Sequence, residues 1–181
     1  MSAEQVDRDP VEPRPRIGAR EVIRRTPPES DREDLGSKVF GEVSADPSLG
    51  RFEADPAQVE QVIVNLVLHA RHTLQDGGRI TIGARNVDLD ESFTREHFPM
   101  RPGGYVLLSV ADTGPGLDEE QRAHLFSPLF AGDSEDGAGL GLATVYGIVK
   151  QSEGFVWVDS KPGEGTAFRI YFPRAIETIA A

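Results

Sequence analysis

The chain has 181 residues, no Cys, 38% hydrophobic and 27% charged residues, and a net charge of −11 from 19 Lys plus Arg against 30 Asp plus Glu. That is enough for one ordinary globular domain, and it excludes disulfides, thiolate catalysis and Cys-ligated metal centres. The acidity argues against partners bound through phosphate counterion release, such as nucleic acid, and against direct contact with anionic membranes. No apolar run approaches the roughly 20 residues of a membrane span, and the N-terminus does not read as a signal peptide, so the expected location is the cytoplasm.

Residues 1–34 hold five of the 13 prolines, nine acidic and seven basic residues, and few large apolar side chains. Such a segment buries too little apolar area to offset its ordering entropy, and it reads as a linker or arm. Ile17, Val22 and Ile23 would line a short helix within it. The remaining −9 falls on the predicted domain, residues 35–175, and its short tail, 176–181. Residues 37–43 and 50–54 read as strands around an Asp46-Pro47-Ser48-Leu49-Gly50 turn. Asp55-Pro56 then signals a helix start, with Asp as N-cap and Pro at the first position. Val59, Val62, Ile63, Leu66, Val67, Ala70 and Leu74 recur at helical spacing up to Asp76-Gly77-Gly78. Residues 79–86 alternate as a strand, 87–103 read as a polar loop, and 104–111 as a buried strand. Residues 118–126 read as helix, 127–138 as a Gly-containing loop, and Leu140 to Gln151 as helix. A hairpin of 154–159 and 166–172, turning at Lys161-Pro162-Gly163, completes the chain. This order predicts an α+β fold, one mixed sheet with helices on one face.

Four stretches carry chemistry. Asp112-Thr113-Gly114-Pro115-Gly116 follows the buried strand. A carboxylate there can accept from an exocyclic amine, while the glycines let the backbone turn sharply and approach a ligand. Read alone, the pentapeptide is more simply an Asp-Gly turn. Gly137-Ala138-Gly139-Leu140-Gly141-Leu142-Ala143 opens a helix, where unhindered amides favour anions. It matches neither the phosphate-binding P-loop nor the dinucleotide fingerprint, and read alone it is a flexible entry to a helix. Asn65, His69 and His72 border the apolar stripe of the 55–75 helix. The Asn oxygen suits Mg²⁺; the histidines, without a third nearby ligand, read as solvated or packing side chains rather than zinc ligands. Gly163-Glu164-Gly165-Thr166 is by itself only a hairpin turn.

In this order and spacing the four stretches resemble the ATP-binding catalytic domain of bacterial sensor histidine kinases, in the GHKL ATPase superfamily. The likeness runs from about Ser37 to Pro173. It rests on Asn65-Leu66 in the N box, Asp112-x-Gly114-x-Gly116, and Leu125-Phe126-Ser127-Pro128-Leu129-Phe130 in the F box. Gly137-x-Gly139-x-Gly141 and Gly163-x-Gly165-Thr166 complete it. The resemblance implies the Bergerat-type two-layer α/β sandwich, with ATP and Mg²⁺ as cofactors. It implies that Asp112 accepts the adenine amine, that Gly114, Gly116 and Leu117 shape the adenine pocket, and that Thr166 helps to hold the base. Asn65 would face the phosphates and Mg²⁺ as the catalytic-site residue. Residues 127–138 would form the ATP lid, anchored by Phe126 and Phe130, with Gly137, Gly139, Leu140 and Gly141 closing on the triphosphate. The implied partners are a histidine-bearing dimerisation domain and a response regulator, with the isolated domain a monomer.

Three departures accompany the likeness. The second Asn of the family's N box, the usual Mg²⁺ ligand, is His69, and a protonated imidazole there would repel the ion. The family's lid lysine is replaced by a stretch carrying Asp133, Glu135 and Asp136. None of His69, His72, His97 and His124 lies in the family's phosphoacceptor context, so the chain would not autophosphorylate alone. His69 and the acidic lid motivate an alternative, a degenerate module that signals by docking with weak or no ATP binding. A free-standing ATPase or anti-sigma-type serine kinase ranks last, because that class carries a Glu base where Asn65 stands.

Overall fold

A computed structural model describes residues 15–18, 39–126 and 138–175. Period-two alternation sets the sheet. In the strand β5 (Gly103–Asp112), Val106, Leu108 and Val110 point to one face and Tyr105 and Leu107 to the other, and all five are buried. A strand buried on both faces belongs at the middle of a sheet. The order is β2 (Val39–Ala45), β4 (Gly78–Leu89), β5, β7 (Gly165–Pro173), β6 (Phe155–Lys161). Only β2 and β4 run parallel; the other neighbours are antiparallel.

Two long helices cover one face. The first, α1 (Pro56–Thr73), starts as the sequence indicates: Asp55 caps it, accepting from Ala57 N at 2.8 Å, and Pro56 opens it. It buries Val59, Val62, Ile63, Leu66 and Ala70. After a short helix α3 (Glu119–His124), the last helix, α4 (Ala138–Gln151), packs beside α1 through Leu142, Val145 and Val149. It begins at Ala138, so the Gly139–Gly141 stretch read as loop and helix entry lies inside its first turns. The α+β architecture is as predicted.

Two expectations are corrected. Residues 87–103 are not a polar loop. Strand β4 continues to Leu89, and Asp90 caps a short helix α2 (Glu91–Glu96) by accepting from Phe93 N at 2.8 Å. Val87, Leu89 and Phe93 close over Met100, Tyr105, Leu107 and Tyr171 on the sheet's second face. That face is apolar on β5 and β7, so it needs a cover, and this segment provides it. Ile17 does not lie on a helix either. It is buried in β1 (Arg16–Gly18), which pairs with β3 (Arg51–Glu53) as a separate ribbon. The ribbon is anchored by Phe52, which stacks on Phe172 with centroids 4.3 Å apart.

A candidate nucleotide-binding site at one end of the sheet

The alternation that sends Val110 into the core sends Asp112 the same way. Thr166 on β7 and Ser160 on β6 follow the same parity. The strand register aligns Asp112 with Thr166 and Thr166 with Ser160. The three buried side chains therefore form a polar rung across three strands, where the apolar core gives out. Buried polar groups need partners, and these have them. Asp112 Oδ1 accepts from Gly114 N at 2.8 Å. Ser160 Oγ accepts from Leu117 N at 2.8 Å, donates to Gly165 O at 2.8 Å and lies 2.9 Å from Thr166 Oγ1.

The turns on either side are held against this rung by glycines. Gly116 has φ 71° and Gly165 φ 85°, both in the left-handed region. A Cβ on Gly116 would overlap the carbonyl of Lys161, and one on Gly165 would overlap that of Asp112. Gly163 N also donates to Pro115 O at 2.6 Å. The two glycine turns read from the sequence thus interlock, although they lie about fifty residues apart in the chain. Burial pushes the Asp112 carboxyl above the usual carboxylate range, while the N–H groups of Gly114 and Thr166 pull it back.

Asn65 lies on α1, facing α4. Its Nδ2 donates to Gly141 O at 3.1 Å, and its Oδ1 accepts from Gln61 Nε2 at 2.7 Å. One turn on, His69 sets its ring edge-on against Phe168, with centroids 5.6 Å apart. Burial, and secondarily the neighbouring His72, lowers its pKa from 6.5 to about 4. The expected repulsion of a cation by a protonated His69 therefore does not arise at pH 7. Phe126 reaches the same aromatic cluster, 5.6 Å from Tyr146 and 6.4 Å from Phe168. Leu117 is partly buried against the core. Gly139 and Leu140 lie in the first turns of α4, whereas Phe130, Gly137 and the lid acids fall outside the described residues.

So Asp112, Gly114, Gly116, Leu117 and Thr166 come together at one sheet end, and Asn65 and Gly141 meet between α1 and α4. Ser160 escaped the sequence reading. Its signal was available in Val156-x-Val158-x-Ser160, which puts a hydroxyl on a core-facing position. Gln61, one turn before Asn65, also went unread.

Residues 54–176 match the family of histidine kinase-, DNA gyrase B- and HSP90-like ATPases. The chain belongs to that family. It is 40% identical over 126 residues to the sensor kinase CckA of Brucella abortus, covering 69% of this chain and 13% of that protein. To the sensor histidine kinase ZraS of Klebsiella oxytoca it is 38% identical over 130 residues, 72% of this chain and 25% of that one. The chain thus spans a quarter or less of these relatives. Its fold is similar to the catalytic domain of the histidine kinase ThkA, with a TM-score of 0.67, 25% identity, and 88% and 95% of the two chains covered. Full-length ShkA bound to AMPPNP is also similar, with a TM-score of 0.64, 26% identity, and 93% and 32% coverage. The domain is an ATP-binding catalytic domain of the sensor histidine kinase type. Among the described residues, no helix is long and apolar enough to cross a membrane.

Proposed function

We propose that this domain binds Mg-ATP with its base against the Asp112–Thr166–Ser160 rung and donates the γ-phosphoryl to a histidine on a separate dimerisation domain. A response regulator then receives the phosphoryl group. The setting is cytoplasmic and the isolated domain is a monomer. The single observation that carries this reading is the rung itself: a buried carboxylate flanked by two glycine turns that admit no Cβ. A buried, partnered carboxylate suits an exocyclic amine better than it suits a role in folding, where an apolar residue would serve more cheaply.

Each residue has a part. Asp112 accepts from the base, Gly114, Gly116 and Leu117 form the turn beside it, and Thr166 supports it. Asn65 faces the phosphates. The amides of Gly139, Leu140 and Gly141, at the start of α4, suit an anion, and Gly137 precedes them. Phe126 anchors the start of the lid segment through its contacts with Tyr146 and Phe168; the resemblance gives Phe130, outside the described residues, the same part. Mg²⁺, when bound, neutralises charge developing on the phosphates. The donor set suits it through one side chain. Asn65 Oδ1 is a hard oxygen, and it would have to exchange Gln61 for the ion. His69 supplies no oxygen and is packed against Phe168. What the protein contributes to transfer is positioning rather than covalent chemistry.

A second reading, a docking module with weakened nucleotide binding, is favoured by one observation: His69 faces the core cluster rather than offering a ligand. Calorimetric titration with ATP and ADP, with and without Mg²⁺, separates the two on the parent and on His69→Asn. Micromolar binding by the parent is the expected result. No binding by the parent, with recovery in His69→Asn, would overturn the catalytic reading.

A further inference from the structure

The hydrogen-bond inventory of the rung fixes the direction of a proton. Ser160 Oγ has one proton to give and two lone pairs to fill. The Gly165 carbonyl can only accept, and it takes that proton at 2.8 Å. The Leu117 N–H can only donate, and it fills one lone pair at 2.8 Å. The contact between Ser160 Oγ and Thr166 Oγ1, at 2.9 Å, could in isolation run either way. With the serine proton committed, only one direction is left: Thr166 donates to Ser160. Both hydroxyls are buried, so water does not compete freely for these bonds.

We infer that Ser160 is a specificity-positioning residue: by taking the Thr166 proton it leaves Thr166 Oγ1 as an acceptor only, so that the rung reads the base by its donors. This rests on the nucleotide-site reading above. Asp112, when ionised, is also acceptor-only. Two neighbouring acceptors in one rung match a base edge that brings N–H groups, such as the exocyclic amine of adenine. They oppose a base that presents a carbonyl at that position, which would face lone pair against lone pair. A site built to bond one partner discriminates strongly against an analogue that lacks it. Ser160 itself has no capacity left for the ligand, so its part is to orient and not to touch.

The test is calorimetric titration of the whole chain with ATP and with ITP, in which a carbonyl replaces the amine. The readout is the ratio of the two affinities. Ser160→Ala frees the Thr166 hydroxyl to turn and donate, and is expected to lower the ATP-over-ITP ratio roughly tenfold. Ser160→Thr, which keeps the hydroxyl, holds the ratio within about twofold. Thr166→Val removes the acceptor and lowers the ratio by a similar factor, and it settles the matter if Ser160→Ala does not fold. Equal weakening of both nucleotides by Ser160→Ala, or an unaltered ratio in Thr166→Val, would overturn the inference while leaving the ATP site standing. A parent chain that binds no ATP would overturn the site reading, and the inference with it.

Discussion

His69 provides a prediction with a worked magnitude. Its imidazole is held neutral, with a pKa near 4 against 6.5 in the unfolded chain. Between those values the unfolded state binds more protons than the folded one, so stability rises with pH across the window and is lost on acidification. From pH 7 to pH 5 the expected loss from this one group is about 2 kcal/mol, and by pH 4 about 3 kcal/mol. His69→Phe keeps an aromatic ring against Phe168 and removes the titration. Urea unfolding of the parent and the variant, at pH 7 and at pH 5, isolates the term, because the carboxylates are common to both chains. The stability difference should shift by about 2 kcal/mol in favour of the variant on going to pH 5. A difference that stays constant across pH would refute the claim that the half-buried His69 is held neutral, whatever the variant does to stability at pH 7.

Three other outcomes are expected. Asp112→Asn keeps one acceptor oxygen and turns the other into a donating amide, with loss of the charge; ATP affinity should fall at least about tenfold while the thermal melt stays within a few degrees. Gly116→Ala forces a methyl against the Lys161 carbonyl at positive φ; a loss of about 2 kcal/mol or more in denaturant unfolding is expected, and a neutral effect would show that the two turns do not interlock. Phe52→Ala removes the ring stacked on Phe172 and should cost about 3–5 kcal/mol, with hydrogen exchange of β1 and β3 rising first.

What could be read from the sequence depended on how local its cause is. The start of α1 is written in two adjacent residues, Asp55 and Pro56, and a seven-member apolar stripe names its buried face. The turns at Gly116 and Gly165 are legible because left-handed backbone selects glycine. Helix α2 is not, since six residues carry too little periodicity. It is held by the Asp90 cap and by Phe93, which stacks on His97 at 3.9 Å and lies 6.0 Å from Tyr171, some eighty residues away. The strand at Ile17 depends likewise on pairing with Phe52. The state of His69 follows from distant packing too. The motif names a departure at that position, but it is burial in the fold, with His72 beside it, that holds the imidazole neutral, and Phe168, far off in the chain, is among its neighbours. At the site, the sequence names Asp112 and Thr166, neighbours in the rung, and passes over Ser160 at its far end, which ties Thr166 to the turns.

The acidity seen at the outset can now be placed in part. Within the rung Asp112 is the one ionisable side chain, and Arg122 Nη1 donates to the Ser160 carbonyl at 3.4 Å. Exposed pairs such as Lys161 with Glu164 contribute little to stability. The net charge therefore does not bar a nucleotide from the rung, whose recognition is by hydrogen-bond direction.

The central claim is that ATP binds with its base on the Asp112–Thr166–Ser160 rung. The most direct test is backbone amide NMR of the ¹⁵N-labelled chain during titration with Mg-ATP. The account predicts saturable shifts concentrated at Gly114, Gly116, Leu117, Gly165 and Thr166, together with Gly141 near the phosphates, with at least about tenfold more nucleotide needed to reach them in Asp112→Asn. Shifts that spare these amides, or that persist unchanged in Asp112→Asn, would contradict it.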